Sequence, residues 1–261
     1  MPAWFLGTIG FTYSEWKGSF YPAGLPASQS LSYYGKSFNA VEVNTTFYGP
    51  QPPAQLLRWS AATPAEFCFC LKAPKRITHD LRLINAQAEL SAFVHSSSAL
   101  NDKFGPILIQ LPPSYKIDER PNLETFLKSL PSGARYAIEF RHASWHLPAT
   151  ADLLRRYGVC WVATDYEELP VDIYPTTSFL YLRWIGRHNV IPHPGYEVLE
   201  RSERLRAWIE RIRANLDGIE EIYGFFDNDY AGHSPASCNR FKSLAGLPAS
   251  PSAAEEQGRL F

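Results

Sequence analysis

Short β-rich runs alternate with helical patterns along nearly the whole chain, and this alternation constrains the fold more than any other feature. Eight runs are predicted as strands, at residues 5–10, 40–45, 67–72, 107–111, 136–141, 159–164, 179–184 and 222–226. The clearest predicted helices span 86–100 and 200–216. Such alternation is typical of a parallel sheet, and eight strands in 261 residues suit a closed barrel. We predict a single (β/α)8 TIM-type barrel over residues 1–246, followed by a Pro-, Ala-, Ser- and Glu-rich tail over residues 247–261.

Composition narrows the functional class. The chain has 25 Lys and Arg against 26 Asp and Glu, so its net charge of −1 predicts no bulk attraction to nucleic acid or to anionic membranes. No run of about 18 apolar residues occurs, and no basic n-region opens the sequence. We therefore expect a cytoplasmic protein. The four cysteines form no C-x-x-C pair and no zinc-like array, so we predict reduced thiols, no metal and no cofactor.

Polar residues recur at the carboxyl ends of the predicted strands. Side chains alternate between the two faces of a strand, and Val41 and Val43, for example, suit the helix-covered face and leave Glu42 inside. The polar residues predicted to face the lumen or its mouth in this way are Glu42, Asn44, Lys72, Gln110, Glu139, Arg141, Asp165, Arg183 and Asn228. Charged residues at this end of a barrel are typical of a catalytic face. The alternative is an ion-pair network that only stabilises the fold, Glu42 with Lys72 and Glu139 with Arg141.

The loops after the last two strands indicate a second polar feature. Gly232 precedes Ser234, which we predict to be the N-cap of a helix with Pro235 at its first position. In this fold, free backbone N–H groups at that corner commonly bind phosphate, and Arg183 would supply a nearby cation. The alternative is an ordinary Ser-Pro helix start.

Several ordered motifs resemble one known family, the YecE-like proteins, also called domain of unknown function 72. The resemblance runs from about residue 5 to residue 244. It rests on Gly-Thr-Ile-Gly-Phe at 7–11, Val-Glu-Val-Asn at 41–44, Gln-Leu-Pro-Pro at 110–113, Glu-Phe-Arg at 139–141 and Phe-Asp-Asn at 226–228. The resemblance implies a barrel with a cleft at its carboxyl face, and it implies no reaction. The family's usual pattern at the eighth strand is Phe-Asn-Asn, so Asp227 departs from it.

The leading hypothesis is an enzyme of hydrolytic or isomerase type acting on a small anionic compound, such as a phosphorylated sugar or a nucleotide. Glu42 and Glu139 are the candidate general acid and base, and Lys72 and Arg141 the cations that stabilise negative charge. A metal is disfavoured, because these cations compete for the same carboxylates. The other candidate substrate contacts are Tyr13, Trp16, Asn44, Tyr48, His79, Gln110, Trp145, Asp165, Arg183, Asn228, Gly232 and Ser234. The aromatic residues among them would also suit a glycosidase.

Two further hypotheses come from different classes. The end of the tail, Gln257-x-x-Leu260-Phe261, resembles the short peptide by which bacterial DNA-processing proteins dock on the replication sliding clamp. This would make the protein a DNA-maintenance factor, whereas the plainer alternative is that Leu260 and Phe261 pack on the barrel or bind nothing. The third hypothesis is a barrel that binds a metabolite without turning it over.

Overall fold

A computed structural model describes residues 1–188 and 190–248 of the chain. Eight parallel strands form one sheet, with the spatial order β3-β2-β1-β8-β7-β6-β5-β4. Their bounds are β1 Ala3–Ile9, β2 Ala40–Val43, β3 Cys68–Leu71, β4 Ile107–Gln110, β5 Tyr136–Glu139, β6 Cys160–Asp165, β7 Phe179–Trp184 and β8 Glu221–Phe226. Each strand overlaps a run predicted from the sequence.

The sheet closes on itself between β3 and β4. These strands share no full ladder, but the Ala73 N–H donates to the Leu108 carbonyl at 2.8 Å and the Gly105 N–H donates to the Phe69 carbonyl at 2.9 Å. Isolated parallel bridges join Phe69 to Phe104 and Lys72 to Leu108. The prediction of a single (β/α)8 barrel is therefore confirmed.

Helices connect the strands and cover the outer face of the barrel. Their bounds are α1 Ser30–Ser37, α2 Pro53–Ala61, α3 Gln87–Ser97, α4 Arg120–Lys128, α5 Pro148–Arg156, α6 Ser202–Arg213, α7 Asn228–Ala231 and α8 Ser234–Ala245. The apolar spacing predicted for 200–216 forms α6, which buries Leu205, Trp208, Ile209 and Ile212. No helix in the described part of the chain is long and apolar enough to span a membrane.

Strand alternation divides the apolar residues into two cores. The larger core lies between the strands and the helices and includes Val41, Phe69 and Leu182. The smaller one fills the lumen and includes Leu108 and Tyr223. Because neighbouring residues of a strand face opposite cores, the predicted inward positions of β2, β5 and β7 converge at the carboxyl end of the lumen.

Candidate active site

An arginine-carboxylate cluster closes the lumen at the carboxyl ends of β2, β5 and β7. Arg183 on β7 donates from Nε to Glu42 Oε2 at 2.9 Å and from Nη2 to Glu42 Oε1 at 2.7 Å. Its Nη1 donates to Glu139 Oε2. All three nitrogens of this guanidinium therefore contact carboxylates, and such two-pronged contacts hold an arginine in one orientation.

Both carboxylates are fully buried and satisfied. Glu42 also accepts from the Tyr181 hydroxyl at 2.9 Å, and Glu139 accepts from the Thr164 hydroxyl at 3.0 Å. Glu42 and Glu139 are each 0% exposed. Burial raises the pKa of Glu139, but the charges of Arg141, Arg183 and Lys72 oppose it, so the pKa lies below its usual value.

Above this cluster lies a pocket of 370 Å³ that opens between the βα loops. Neither Glu42 nor Glu139 lines it. Its lining residues are Asn44, Phe47, Tyr48, Lys72, Gln110, Pro113, Arg141, Tyr166, Arg183, Ile185, His188 and Asp227. The pocket therefore presents the cationic side of the cluster to a ligand, while the two glutamates lie underneath. We call it the charged pocket.

Arg141, just beyond β5, is the first of two cations in the charged pocket that have N–H groups without a hydrogen-bond partner among the described residues. Its Nε lies 2.6 Å from Glu139 Oε1, an ion pair without hydrogen-bond geometry, and its guanidinium carbon lies 4.7 Å from the centre of the Tyr166 ring. Neither Nη1 nor Nη2 of Arg141 has a hydrogen-bond partner among residues 1–188 and 190–248. Both terminal nitrogens are thus available to an anion.

Lys72, immediately after β3, is the second such cation. Its Nζ lies 4.3 Å from the centre of the Phe47 ring and has no ion-pair or hydrogen-bond partner within the described ranges. Burial and then the charge of Arg183 lower the pKa of Lys72 to about 8, although Glu42 and Glu139 oppose the shift. A lysine in this state exchanges its proton near neutral pH.

Asp227 is an acidic residue that lines the charged pocket, and it is not among the site residues predicted from the sequence. It follows β8 directly, and its Oδ1 accepts from the Asp229 N–H at 3.0 Å. Burial and the neighbouring Asp229 carboxylate raise the pKa of Asp227, outweighing that hydrogen bond and the charge of Arg183. The available signal was its position, an acid at the carboxyl end of a barrel strand.

The ion pairing predicted for Lys72 is wrong. The sequence alternative paired Glu42 with Lys72, whereas Glu42 pairs with Arg183 across the lumen. The predicted contact between Glu139 and Arg141 is present. Counting these five groups gives three cations, Lys72, Arg141 and Arg183, against two carboxylates. These five groups thus carry an excess of positive charge, and Asp227 adds a third carboxyl group to the pocket.

Asp165 lies on the other side of the sheet from the charged pocket. It ends β6, and its carboxylate accepts from Arg204 Nε at 2.8 Å and from Trp208 Nε1 at 2.8 Å, both on α6. The lumen residues of the same strand are Cys160 and Val162, so alternation directs Asp165 outward. Its predicted contact with substrate is therefore corrected to an ion pair that fastens α6 to the barrel.

The predicted phosphate corner is also wrong, because its helix N-terminus is occupied. His233, not Ser234, is the N-cap of α8, and Ser234 is fully buried. The Ser234 N–H and hydroxyl donate to Asn228 Oδ1 at 3.0 and 2.8 Å, and Trp16 Nε1 donates to the same oxygen at 3.1 Å. Gly232 ends α7 with a positive φ of 104°, which favours glycine. These residues shape the backbone and do not line the charged pocket.

The predicted aromatic contacts are dispersed. Tyr48 lies at the rim of the charged pocket and is exposed. Trp145 is fully buried in the larger core and does not line the pocket; its Nε1 donates to the Tyr115 carbonyl at 2.8 Å. Tyr13 lines an adjoining cavity of 530 Å³, together with Phe11, Trp59 and Asn44. Since Asn44 lines both spaces, the two cavities are neighbours.

His79 lies behind the charged pocket and does not line it. Its ring packs edge-on against Phe47 at 5.0 Å, and its Nδ1 is 2.8 Å from the Thr78 hydroxyl. Burial and the charge of Lys72 lower the pKa of His79. Phe47 and Tyr166, whose rings lie beside Lys72 and Arg141, were not predicted as site residues, because the strand pattern does not determine the path of a loop.

The remaining predictions concern the C-terminal peptide and metal binding. Gln257, Leu260 and Phe261 lie outside the described residues, so the clamp peptide stays a prediction. In the part of the chain that the structure describes, no group of three or more His, Cys, Asp or Glu side chains is placed to hold a metal ion.

A closed parallel barrel of eight strands, with helices between them, defines the chain as a TIM-barrel protein. Comparison then gives the family. The sequence model described as "Protein of unknown function DUF72" matches residues 5–258. The chain therefore belongs to the DUF72 family, as its motifs predict.

Three relatives support this membership. UPF0759 protein YecE of Escherichia coli is 38% identical over 113 residues, which span 43% of this chain and 42% of that protein. UPF0759 protein YunF of Bacillus subtilis is 28% identical over 86% of this chain and 89% of its own length. A DUF72 family protein of Thermotoga maritima, known from its crystal structure, is 30% identical with a TM-score of 0.79, covering 94% of this chain and 99% of that one.

Proposed function

We propose that this protein is an enzyme that acts by proton transfer on a small anionic compound held in the charged pocket. One observation carries the proposal. Nη1 and Nη2 of Arg141 and Nζ of Lys72 have no hydrogen-bond partner within the described residues, and both side chains line the same pocket. The two buried glutamates form ion pairs with Arg183. Unpaired cations at a concave, strand-end pocket favour an anionic ligand.

The anion-binding role falls to Arg141 first. A guanidinium with two free terminal nitrogens suits the bidentate geometry of phosphate or carboxylate oxygens. The Tyr166 ring beside it and the ion pair with Glu139 limit its rotation, so less entropy is lost when a ligand binds. At 370 Å³ the pocket has room for a phosphorylated sugar.

The proton-transfer role falls to Lys72 and Asp227. Burial moves the pKa of Lys72 down to about 8 and the pKa of Asp227 up, so both approach the range in which acid-base catalysis is efficient. Glu42 and Glu139, the acid and base favoured by the sequence, are better suited to positioning, because every oxygen of theirs contacts a donor of the protein. They hold Arg183 and Arg141 in place.

The neighbouring aromatic cavity favours a substrate with a ring. Phe11, Tyr13 and Trp59 line it, and its wall at Asn44 is shared with the charged pocket. An anionic group at Arg141 would leave a sugar or base directed toward these rings, where flat faces stack favourably. This arrangement supports a nucleotide-like compound as well as a phosphorylated sugar.

Calorimetric titration with inorganic phosphate tests the binding step. We expect saturable binding by the wild type and at least tenfold weaker binding by Arg141→Met, about 1.4 kcal/mol. The matched control is Arg156→Met, because Arg156 is exposed and makes only a distant ion pair at 4.0 Å. Equal binding by the wild type and Arg141→Met would contradict the proposal.

A screen of phosphorylated sugars and nucleotides then tests catalysis. We expect turnover that Lys72→Met and Asp227→Asn abolish while phosphate binding persists in Asp227→Asn. Binding without turnover of any compound would favour the alternative of a barrel that holds a metabolite and transforms nothing.

A further inference from the structure

We infer that Lys72 is a nucleophile whose amine forms an imine with the substrate, so that the substrates of the charged pocket are anionic aldehydes or ketones. The inference rests on the proposed function and narrows it to one substrate class. The inference depends on a chemical difference between Arg141 and Lys72, the two cations that are available to a ligand. Arg141 can only bind an anion, whereas a lysine amine can also attack a carbonyl carbon.

The backbone of Lys72 is fixed on both sides. Its N–H donates to the Val43 carbonyl at 3.1 Å, and its own carbonyl accepts from the Thr46 hydroxyl at 2.6 Å. A parallel bridge also joins it to Leu108 on β4. The side chain therefore starts from a rigid point at the mouth of the barrel, which is the placement that a covalent catalyst needs.

The amine itself is free to react. Its Nζ is not paired with any carboxylate or hydrogen-bond acceptor in the described part of the chain, and it lies over the Phe47 ring beside the charged pocket. An ammonium that only balanced the buried glutamates would contact one of them, but Arg183 contacts both. The structure thus provides a cation that the cluster does not require.

The surroundings favour the unprotonated amine. Burial and the neighbouring guanidiniums, chiefly Arg183, lower the pKa of Lys72 to about 8. Desolvation and a nearby cation are the two ways in which proteins activate lysine for imine formation. At neutral pH a larger fraction of this amine is therefore unprotonated than in an ordinary lysine, whose pKa is 10.5.

The reaction balances with the groups of the pocket. The lone pair of Nζ forms a bond to the carbonyl carbon, and the π pair of the carbonyl moves to its oxygen, which takes up the proton that the nitrogen loses. The resulting carbinolamine expels its hydroxyl as water, with a proton from the Asp227 carboxyl, and leaves a protonated imine. Addition of water reverses these steps and returns the proton to Asp227. Arg141 meanwhile holds the anionic group of the substrate.

Reductive trapping of the full-length protein tests the inference. The protein is incubated with dihydroxyacetone phosphate and sodium borohydride, whose hydride converts an imine into a stable secondary amine, and the adduct is located by peptide mass spectrometry. We expect one adduct, on Lys72. Lys72→Arg keeps the positive charge but should form no adduct at this position, and Lys75→Arg should be labelled like the wild type, because Lys75 is exposed.

Phosphate titration of the same samples separates this inference from the proposed function. An adduct confined to Lys72, lost in Lys72→Arg and suppressed by excess phosphate, supports both. If phosphate binds but Lys72 forms no adduct, or is labelled no more than exposed lysines, the imine is refuted and the anion pocket stands. If neither phosphate binding nor an adduct is found, both are refuted.

Discussion

Replacing Lys72 by methionine should make the protein more stable at pH 7, because the native structure holds this ammonium in an unfavourable place. Lys72 is partly buried, and its pKa falls from 10.5 to about 8 in the folded state. A depression of this size corresponds to about 3 kcal/mol at 1.36 kcal/mol per unit. Contact of the ammonium with the Phe47 ring at 4.3 Å returns roughly 1 kcal/mol. We therefore expect Lys72→Met to gain about 2 kcal/mol in the free energy of unfolding.

The dependence on pH follows from the direction of the shift. Below pH 8 the lysine is protonated in both the folded and the unfolded states, so the full penalty is present in the wild type. Between pH 8 and pH 10.5 the unfolded state binds more protons than the folded state, so wild-type stability rises with pH. The advantage of Lys72→Met should therefore be constant up to about pH 8 and shrink above it.

Urea unfolding of the wild type and the variant at several pH values measures this difference. In a separate thermal unfolding experiment at pH 7, the midpoint temperature of Lys72→Met should be roughly 4 to 8 °C above that of the wild type. Lys75→Met is the matched control, since Lys75 is more than half exposed and should change stability by less than about 0.5 kcal/mol. A variant less stable than the wild type, or an advantage that does not shrink above pH 8, would refute the description of Lys72.

Three further predictions test the other parts of the site. Arg183→Met should lower the free energy of unfolding by about 3 to 5 kcal/mol, because it leaves the buried Glu42 without an ion-pair partner and Glu139 with Arg141 alone. Arg187→Met, at an exposed ion pair, should lower it by less than about 1 kcal/mol, and equal losses in urea unfolding would contradict the cluster. Wild-type turnover should fall as the pH rises above the raised pKa of Asp227, and Asp227→Asn should show no turnover over the same pH range. A wild-type profile without this fall, or turnover by Asp227→Asn, would exclude Asp227 as the acid. If the tail beginning at Gln257 binds the sliding clamp, deletion of the last five residues should abolish binding in a pull-down with purified clamp, and absence of binding by the intact protein would remove that hypothesis.

Strand alternation predicted which residues face the lumen, since the period of two follows directly from backbone geometry. It placed Glu42, Glu139 and Arg183 on the inner side, and all three meet there. It did not predict their pairing. Glu42 and Arg183 are 141 residues apart on non-adjacent strands, and the long side chain of Arg183 reaches across the lumen to both glutamates.

The other errors have local causes. Cys160 and Val162 of β6 face the lumen, so alternation along the strand directs Asp165 to the outer face, where it contacts Arg204. α8 begins at Ser234, one residue earlier than predicted, because Asn228 supplies the hydrogen-bond acceptor that an N-cap serine would otherwise provide. The position of Asp227 at the end of β8 could have indicated it, whereas its raised pKa depends on burial and neighbouring charge in the folded loops.

A crystal structure of the protein with bound inorganic phosphate tests the central claim most directly. The account predicts a phosphate in the charged pocket, in contact with the terminal nitrogens of Arg141 and within reach of Lys72. A second cavity of 370 Å³ lies at the amino ends of the strands, near Lys36 and Lys242, and offers the anion an alternative of equal size. Phosphate found there, with the charged pocket holding none, would contradict the account.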